Sequence, residues 1–308
     1  MQKVLILGAK GMLGQELVKI FTKDPEYLVT AWDAVDLDIT NQAHVNKEVA
    51  KLKPAVILNA AAYNAVDQCE VDKKEFALAK KINGAAPGYL AAVARKIGAT
   101  LVHYSTDYVF DGQPDFDLEP SGCTHSCGSC RLHDSYVPEI GFREDAKPNP
   151  INNYGKSKLL GEKAVAKNMT KYYILRVSKL FGKPGKAAGA KRSFFDVMLE
   201  AGKKNKTVQA VDEETSCFTY APDLAKKTKE VIEAKKPFGI YHIVNSEPCT
   251  WYEAVVELYQ QAKLKTKVTP VSGSAYPRPA RRPFISTLIN TKLNPLRSYK
   301  LALKDFLK

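Results

Sequence analysis

Apolar and polar positions follow two periods along the first two-thirds of this chain. Runs of four or five mostly apolar residues at 4–7, 28–32, 55–58, 100–104 and 172–176 predict buried strands. Between them, 13–21, 42–52, 76–96 and 154–167 carry apolar residues at helical spacing. Strands apolar on both faces, each followed by a helix, predict an α/β fold: a doubly wound parallel sheet covered by helices on both sides. Further along, 193–202, 250–262 and the stretch near 223–234 read as helices, and 208–211 and 239–244 as late sheet elements. The tail from Ser274 is rich in proline and arginine, which predicts an ordered loop or cap rather than a long helix. On this pattern residues 1–178 make the sheet-bearing core and 179–308 mainly a smaller C-terminal lobe, with about 206–244 returning to the core. Residues 112–150 have little periodicity and are long for a loop in a compact domain.

Composition narrows the class. At 308 residues, 45% apolar and 26% charged, the chain has ordinary globular content and enough length for a sizeable core. No uncharged apolar run approaches the ~20 residues that span a bilayer. The apolar run within residues 1–8 is too short for a signal peptide, so a cytoplasmic protein is expected. The net charge of +13 comes mainly from lysine, in clusters such as 203–204, 226–229 and 235–236. A solvated surface accounts for it, and the same field attracts anionic ligands such as nucleotide cofactors. No helix-turn-helix, RNP or finger pattern accompanies the charge, so neither nucleic acid nor a membrane is an expected partner.

Gly8, Gly11 and Gly14, with Met12 and Leu13 before the last, follow the first strand and open the first helix. Glycine suits a tight turn, close approach of backbone to a pyrophosphate, and packing of helix on sheet. The helix N-terminus then offers unpaired N–H groups to the phosphates. The spacing differs from the common Gly-x-Gly-x-x-Gly, but the strand–turn–helix context marks a Rossmann-type dinucleotide site. Asp33 follows the second strand, nineteen residues after Gly14. Its carboxylate either binds the ribose hydroxyls of NAD and repels the extra phosphate of NADP, or it caps a loop.

Tyr154 and Lys158 stand four residues apart, on one face of a helix. An ammonium nearby favours phenolate and pulls a tyrosine pKa down from about 10 toward working pH. Such a tyrosine gives a proton to a carbonyl oxygen as a hydride reaches its carbon. Thr106 lies at the carboxyl end of the fourth strand, where open α/β sheets bind ligands, and offers a third polar group. The alternative is that Ser105 and Thr106 satisfy loop backbone groups.

Segments 8–14, 37–40, 59–63 with 65–67, 105–112, 153–158, 175–178, 219–225, 239–242, 251–253 and 280–283 carry a family resemblance. Over nearly its whole length the chain resembles the extended short-chain dehydrogenase/reductases, and within them the dTDP-4-dehydrorhamnose reductase branch. The resemblance implies Thr106, Tyr154 and Lys158 as the catalytic set. It implies Asp38 and Ile39 beside the adenine, Ala60, Ala61 and Ala62 along the dinucleotide, Asn83 holding the active-site helix, and Tyr108 and Arg281 at the substrate. Close packing at the alanines and a hydrogen-bonded helix break at Asn83 are the ordinary physical readings. The implied chemistry is hydride transfer from NADH or NADPH to C4 of a dTDP-linked 4-keto-6-deoxyhexose. Tyr154 supplies the proton, Lys158 tunes it and contacts the nicotinamide ribose, and Thr106 positions the carbonyl. A monomer or homodimer with a substrate-binding C-terminal lobe is expected. The alternatives are a non-catalytic regulatory subunit like the β subunit of methionine adenosyltransferase, or another nucleotide-sugar reductase or epimerase.

Two features depart from the family pattern. Lys179 stands where an aromatic residue usually shapes the sugar pocket; its ammonium either pairs with a substrate carboxylate or phosphate or points to solvent. Cys123, Cys127, Cys130 and His133 offer three thiolates and an imidazole within eleven residues, enough for a structural Zn site, with His125 a competing ligand and free thiols the alternative. Cys69, Cys217 and Cys249 are isolated and read as small buried residues. Glu16 is a candidate Mg contact, as in some relatives.

Overall fold

The structure, a computed structural model, describes residues 1–114, 140–187 and 190–308. Its strands are β1 (Gln2–Leu7), β2 (Tyr27–Trp32), β3 (Val56–Asn59), β4 (Thr100–Thr106), β5 (Tyr172–Val177), β6 (Leu180–Phe181), β7 (Thr207–Val211), β8 (Thr219–Tyr220), β9 (Gly239–His242), β10 (Asn245–Ser246), β11 (Lys267–Val271) and β12 (Leu296–Ser298). Its helices are α1 (Met12–Thr22), α2 (Gln42–Leu52), α3 (Gln68–Val71), α4 (Lys73–Ala79), α5 (Ala86–Ile97), α6 (Asn153–Asn168), α7 (Phe194–Lys204), α8 (Ala221–Glu233), α9 (Trp251–Gln261) and α10 (Tyr299–Phe306).

Six strands form one parallel sheet in the order β2-β1-β3-β4-β5-β9, the doubly wound Rossmann arrangement expected from the apolar pattern. The chain leaves β1 for β2 on one side and returns to β3 on the other, so the topological switch point lies over the carboxyl ends of β1 and β3. Side chains alternate across the sheet: Val4 and Ile6 join one core with Leu13, Leu17 and Phe21 of α1 and Leu224 and Val231 of α8. Leu5 and Leu7 join the other core, with Val45 and Val49 of α2, Leu90 and Ala94 of α5 and Val165 of α6. Burying each such side chain on both faces contributes about 1.5–3 kcal/mol and holds the strand ends, and therefore the ligand crevice, in place.

The helical stretch 76–96 is interrupted around Asn83, the position read as a hydrogen-bonded helix break. A π-helical turn at Lys80–Ala85 separates α4 from α5, and Asn83 lies within it. Asn83 accepts from the Tyr63 backbone N–H at 2.8 Å and donates to the Tyr63 carbonyl at 2.9 Å and to Ser157 Oγ at 3.0 Å. The widened turn aims this side chain between the β3 loop and α6, a use of π-bulges common at functional sites.

Of the late strands, β9 joins the main sheet, whereas β7 pairs with β11 in a separate two-stranded sheet. The reason is the packing of α7 and α9, which with β7 and α10 bury a largely aromatic cluster that includes Phe195, Phe218, Tyr259 and Tyr299. The proline-rich tail is an ordered cap. After a short 3-10 turn at Gly273–Ala275, Ala280 is buried and its N–H donates to Asp67 Oδ1 at 3.1 Å. Among the described residues no helix is long and apolar enough to cross a membrane.

Candidate active site

The glycine turn sits at the switch point. Gly8 has φ +71°, and a Cβ there would lie 2.7 Å from the Ala61 nitrogen; a Cβ at Gly14 would collide with the Gly8 carbonyl. Side chains are thus excluded where the β1 and β3 loops meet, and Ala60–62 supply the small facing residues. Helix α1 starts at Met12 with Gly11 as an N-cap that has no side-chain cap, leaving N–H groups free for a pyrophosphate. Met12 is the first helical residue, and Leu13 turns back into the core. From the far side, the Lys186 and Ala187 N–H groups donate to the Lys10 carbonyl at 2.7 and 3.2 Å.

Asp33 lies beside this turn. Its Oδ2 accepts from the Lys10 N–H at 2.9 Å and its Oδ1 from the Ala34 N–H at 2.8 Å, so the loop-capping role is present in the structure. Asp38 is exposed, and two hydrogen bonds from Thr40 hold its carboxyl below the usual range. Ile39 beside it is buried in the core. Asp33 is thus tied directly to the glycine turn through the Lys10 N–H.

Helix α6 carries the proton-transfer candidates. Its N-cap Asn152 accepts from the Gly155 N–H at 2.8 Å and donates to the Arg281 carbonyl at 3.0 Å, tying the helix start to the tail. Lys158 is buried, and its Nζ donates to the Tyr104 carbonyl at 2.5 Å. Burial pulls the Lys158 pKa down to about 8, opposed by the Glu162 charge. Tyr154 donates to Asn64 Oδ1 at 3.4 Å and meets the Tyr108 ring edge-on, with centroids 6.0 Å apart.

The expected drop in the Tyr154 pKa is not what the structure shows. Burial raises it and the Asp107 carboxylate raises it further, with Thr106 pulling the other way. Lys158, turned to the Tyr104 carbonyl, is not the charge that governs it. The phenol therefore stays protonated in this state, which suits a group that must give a proton away.

Thr106 has a defined orientation. Its hydroxyl donates to Asp107 Oδ1 at 2.9 Å and accepts from the Tyr108 N–H at 3.2 Å. Asp107 is buried, and its Oδ2 also accepts from Ser178 Oγ and Ser286 Oγ, each at 2.7 Å. Sequence reasoning missed this hub: Asp107 lies in the segment already noted at 105–112, but nothing local pointed to Ser286.

Arg281 is exposed, with its carbonyl serving Asn152, whereas Arg282 pairs with Asp67 at 2.9 Å. Arg282 lines a cavity of about 270 Å³ with Asn64, Ala65, Val66, Asp67, Gln68 and Lys191, next to the Tyr154 hydroxyl. Lys179 does not point to solvent; its Nζ is sealed over the Trp251 ring, 3.6 Å from the centroid. Glu16 lies 3.5 Å from Lys19 Nζ, and among the described residues no group of three or more His, Cys, Asp or Glu is arranged to hold a metal. Cys123, Cys127, Cys130, His133 and His125 lie outside the described residues. Cys69, Cys217 and Cys249 are buried.

A parallel sheet with a glycine turn at its switch point, and a threonine, tyrosine and lysine gathered over the end of β4, is the arrangement of a nicotinamide-dependent oxidoreductase of the short-chain dehydrogenase/reductase type. The chain belongs to the family described as the RmlD substrate binding domain, whose model matches residues 1–308. It is 34% identical over 312 residues to a dTDP-4-dehydrorhamnose reductase of Streptomyces griseus, covering 98% of this chain and 91% of the relative. A crystal structure of a dTDP-4-dehydrorhamnose reductase from Clostridium acetobutylicum superposes with a TM-score of 0.85 at 35% identity, covering 99% of this chain and 98% of the other. The Bacillus anthracis dTDP-4-dehydrorhamnose reductase in complex with NADP superposes with a TM-score of 0.84 at 32% identity, covering 99% of each chain.

Proposed function

We propose that this chain is an NAD(P)H-dependent reductase that converts the C4 ketone of dTDP-4-dehydro-6-deoxy-L-mannose to the alcohol of dTDP-L-rhamnose. The observation that carries the reading is the placement of Thr106 at the end of β4, with Lys158 bonded to the Tyr104 carbonyl of the same strand and Tyr154 against the ring of Tyr108, in a chain similar over nearly its full length to reductases of that name. The same similarity favours catalysis over a non-catalytic regulatory subunit. A reduced nicotinamide cofactor held at the glycine turn by Gly8, Gly11 and Gly14 would supply the hydride. The chain's own residues do the rest. Tyr154, kept protonated by burial and by Asp107, delivers its proton to the C4 oxygen. Lys158, buried with its Nζ on the Tyr104 carbonyl, would contact the nicotinamide ribose when the cofactor is bound. Thr106, anchored on Asp107, keeps its oxygen directed at the reacting group. Arg282 and Lys191 at the cavity edge suit the diphosphate of the substrate.

Asp33 favours NADH by repelling a 2′-phosphate, while the Bacillus anthracis relative holds NADP, so both cofactors belong in the assay. The proposal extends to a cytoplasmic monomer or homodimer in which 179–308 mainly forms the substrate lobe. The test is oxidation of NADH and NADPH, followed by absorbance, with the dTDP-4-keto sugar. Tyr154→Phe is expected to lower kcat by ~10²–10⁴-fold with cofactor affinity retained. Wild-type turnover in the mutant would refute the role of Tyr154, and a wild type inert toward the keto sugar would refute the reaction.

A further inference from the structure

Arg282 meets the cavity already holding an anion, and that anion is part of the chain. Its Nη2 donates to Asp67 Oδ2 at 2.9 Å, and the Ala280 N–H donates to Asp67 Oδ1 at 3.1 Å. A guanidinium and a backbone N–H converging on two oxygens of one anion form a donor set that suits phosphate as well as carboxylate. Asp67 and Arg282 both line the cavity of about 270 Å³, together with Lys191, which makes no ion pair among the described residues. That volume is below the ~300–1,000 Å³ that encloses a whole drug-sized ligand, so the cavity suits one group of a nucleotide sugar. Partial burial raises the Asp67 carboxyl, but hydrogen bonds from Arg282 and the Ala280 N–H bring it below its ordinary range, so it is ionised at neutral pH.

The tail does not depend on this pair. Asn152 Nδ2 holds the Arg281 carbonyl at 3.0 Å, and Thr215 exchanges backbone bonds with Phe284 and Ser286 at 2.7 and 2.9 Å. Pro283 packs against Gly112, where a Cβ would lie 2.6 Å from it. Arg282 is fixed a second time, because its Nη1 donates to the Ala280 carbonyl at 2.8 Å. The side chains of Arg282 and Asp67 are 11% and 38% exposed, so the carboxylate is the member of the pair that water reaches when the two part.

We propose that Asp67 is a built-in competitor for the substrate's diphosphate: it occupies Arg282 while the cavity holds no substrate, and the diphosphate displaces it. An internal competitor lowers the affinity of the cavity for every anion by about the same factor. A single phosphate exchanges one ion pair for another at Arg282 and gains little. A nucleoside diphosphate, with a negative charge on each phosphate, also meets Lys191 and stays bound. The competitor thus keeps ambient phosphate out of the cavity and keeps the product from being held too tightly. The identity of the ligand rests on the reductase reading, whereas the exchange of anions at Arg282 does not.

The test is isothermal titration calorimetry of dTDP into enzyme saturated with reduced cofactor, with inorganic phosphate measured by its competition with dTDP. Asp67→Asn keeps an acceptor for the Ala280 N–H and removes the charge. It is expected to bind dTDP more tightly on the order of tenfold, and phosphate by a similar factor. A purely structural ion pair predicts weaker binding instead. In an Arg282→Met background the same change relieves only the screened repulsion of one charge, a few-fold at most. Asp67→Ser serves if the asparagine variant does not fold. In the wild type alone, the 13C signal of the Asp67 carboxyl should move on addition of dTDP, because its guanidinium leaves. Unchanged or weaker dTDP binding in the folded variant, a full gain that persists without Arg282, or an unmoved Asp67 signal would each overturn the proposal. With the dTDP-4-keto sugar as substrate, Asp67→Asn should lower KM without raising kcat, since product is held as tightly as substrate. A wild type without turnover sinks the reductase reading, while the dTDP and phosphate titrations still decide the role of Asp67.

Discussion

Replacing Glu162 by glutamine tests how the active-site helix is anchored. Arg176 and Glu162 are 1% and 4% exposed, and the guanidinium grips the carboxylate with two bonds, Nε to Oε1 at 3.0 Å and Nη2 to Oε2 at 2.8 Å. The guanidinium also lies over Phe110, 5.0 Å from the ring centroid. Desolvation offsets much of the Coulomb attraction in such a pair, so its net worth against an apolar replacement is small. Removing one partner is different, because it strands a buried charge at a cost of about 3–5 kcal/mol. Glutamine keeps one acceptor oxygen, which places Glu162→Gln near the lower end, about 3 kcal/mol. With a urea slope of about 3 kcal/mol/M the unfolding midpoint falls by about 1 M. Glu162 also opposes the burial of Lys158, so the variant should lose its Lys158 charge at a lower pH than wild type. The assay is urea unfolding followed by circular dichroism, with Glu162→Met/Arg176→Met as the control that removes both charges and recovers most of the loss. A Glu162→Gln protein within about 0.5 kcal/mol of wild type, the range of ordinary surface changes, would refute the reasoning.

Burial of Lys158 gives a pH signature in stability. The unfolded chain holds this proton up to about 10.4 and the folded one only to about 8, so between these values the unfolded state binds more protons and stability rises with pH. Relative to Lys158→Met, wild type should therefore gain about 3 kcal/mol across that window, and a difference independent of pH would rule out the desolvation account. Asp33→Ser keeps an acceptor for the Lys10 and Ala34 N–H groups but removes the charge; the ratio of kcat/KM for NADPH over NADH should rise on the order of tenfold or more. An unchanged ratio would mean that Asp33 acts only as a loop cap.

Much of the fold was legible because its signals are local. The five early strands and the helix at 42–52 follow from apolar periodicity, and the glycine turn follows from its place between strand and helix. The break at Lys80–Ala85 was legible at Asn83 as a hydrogen-bonded helix break, but its π geometry was not, since one wider turn changes the helical period too little to show in residue spacing. The fate of 208–211 depended on which surface α7 and α9 offered it, and the exchange of Arg281 for Arg282 at the cavity depended on how the tail is tied to Asn152 and Asp67.

For the site, sequence by itself determined which groups stand together along the chain: Gly8, Gly11 and Gly14 in one turn, and Tyr154 and Lys158 on one helical face. Those relations follow from backbone geometry over a few residues. Tertiary structure decided what each group is electrically. Asp107 is held by Ser286 from 179 residues away, Lys158 turns to the Tyr104 carbonyl from 54 residues away, and Lys179 rests on Trp251 out of reach of solvent. Protonation depends on desolvation and on charges close in space, and neither quantity exists until the strands, α6 and the tail have packed against one another.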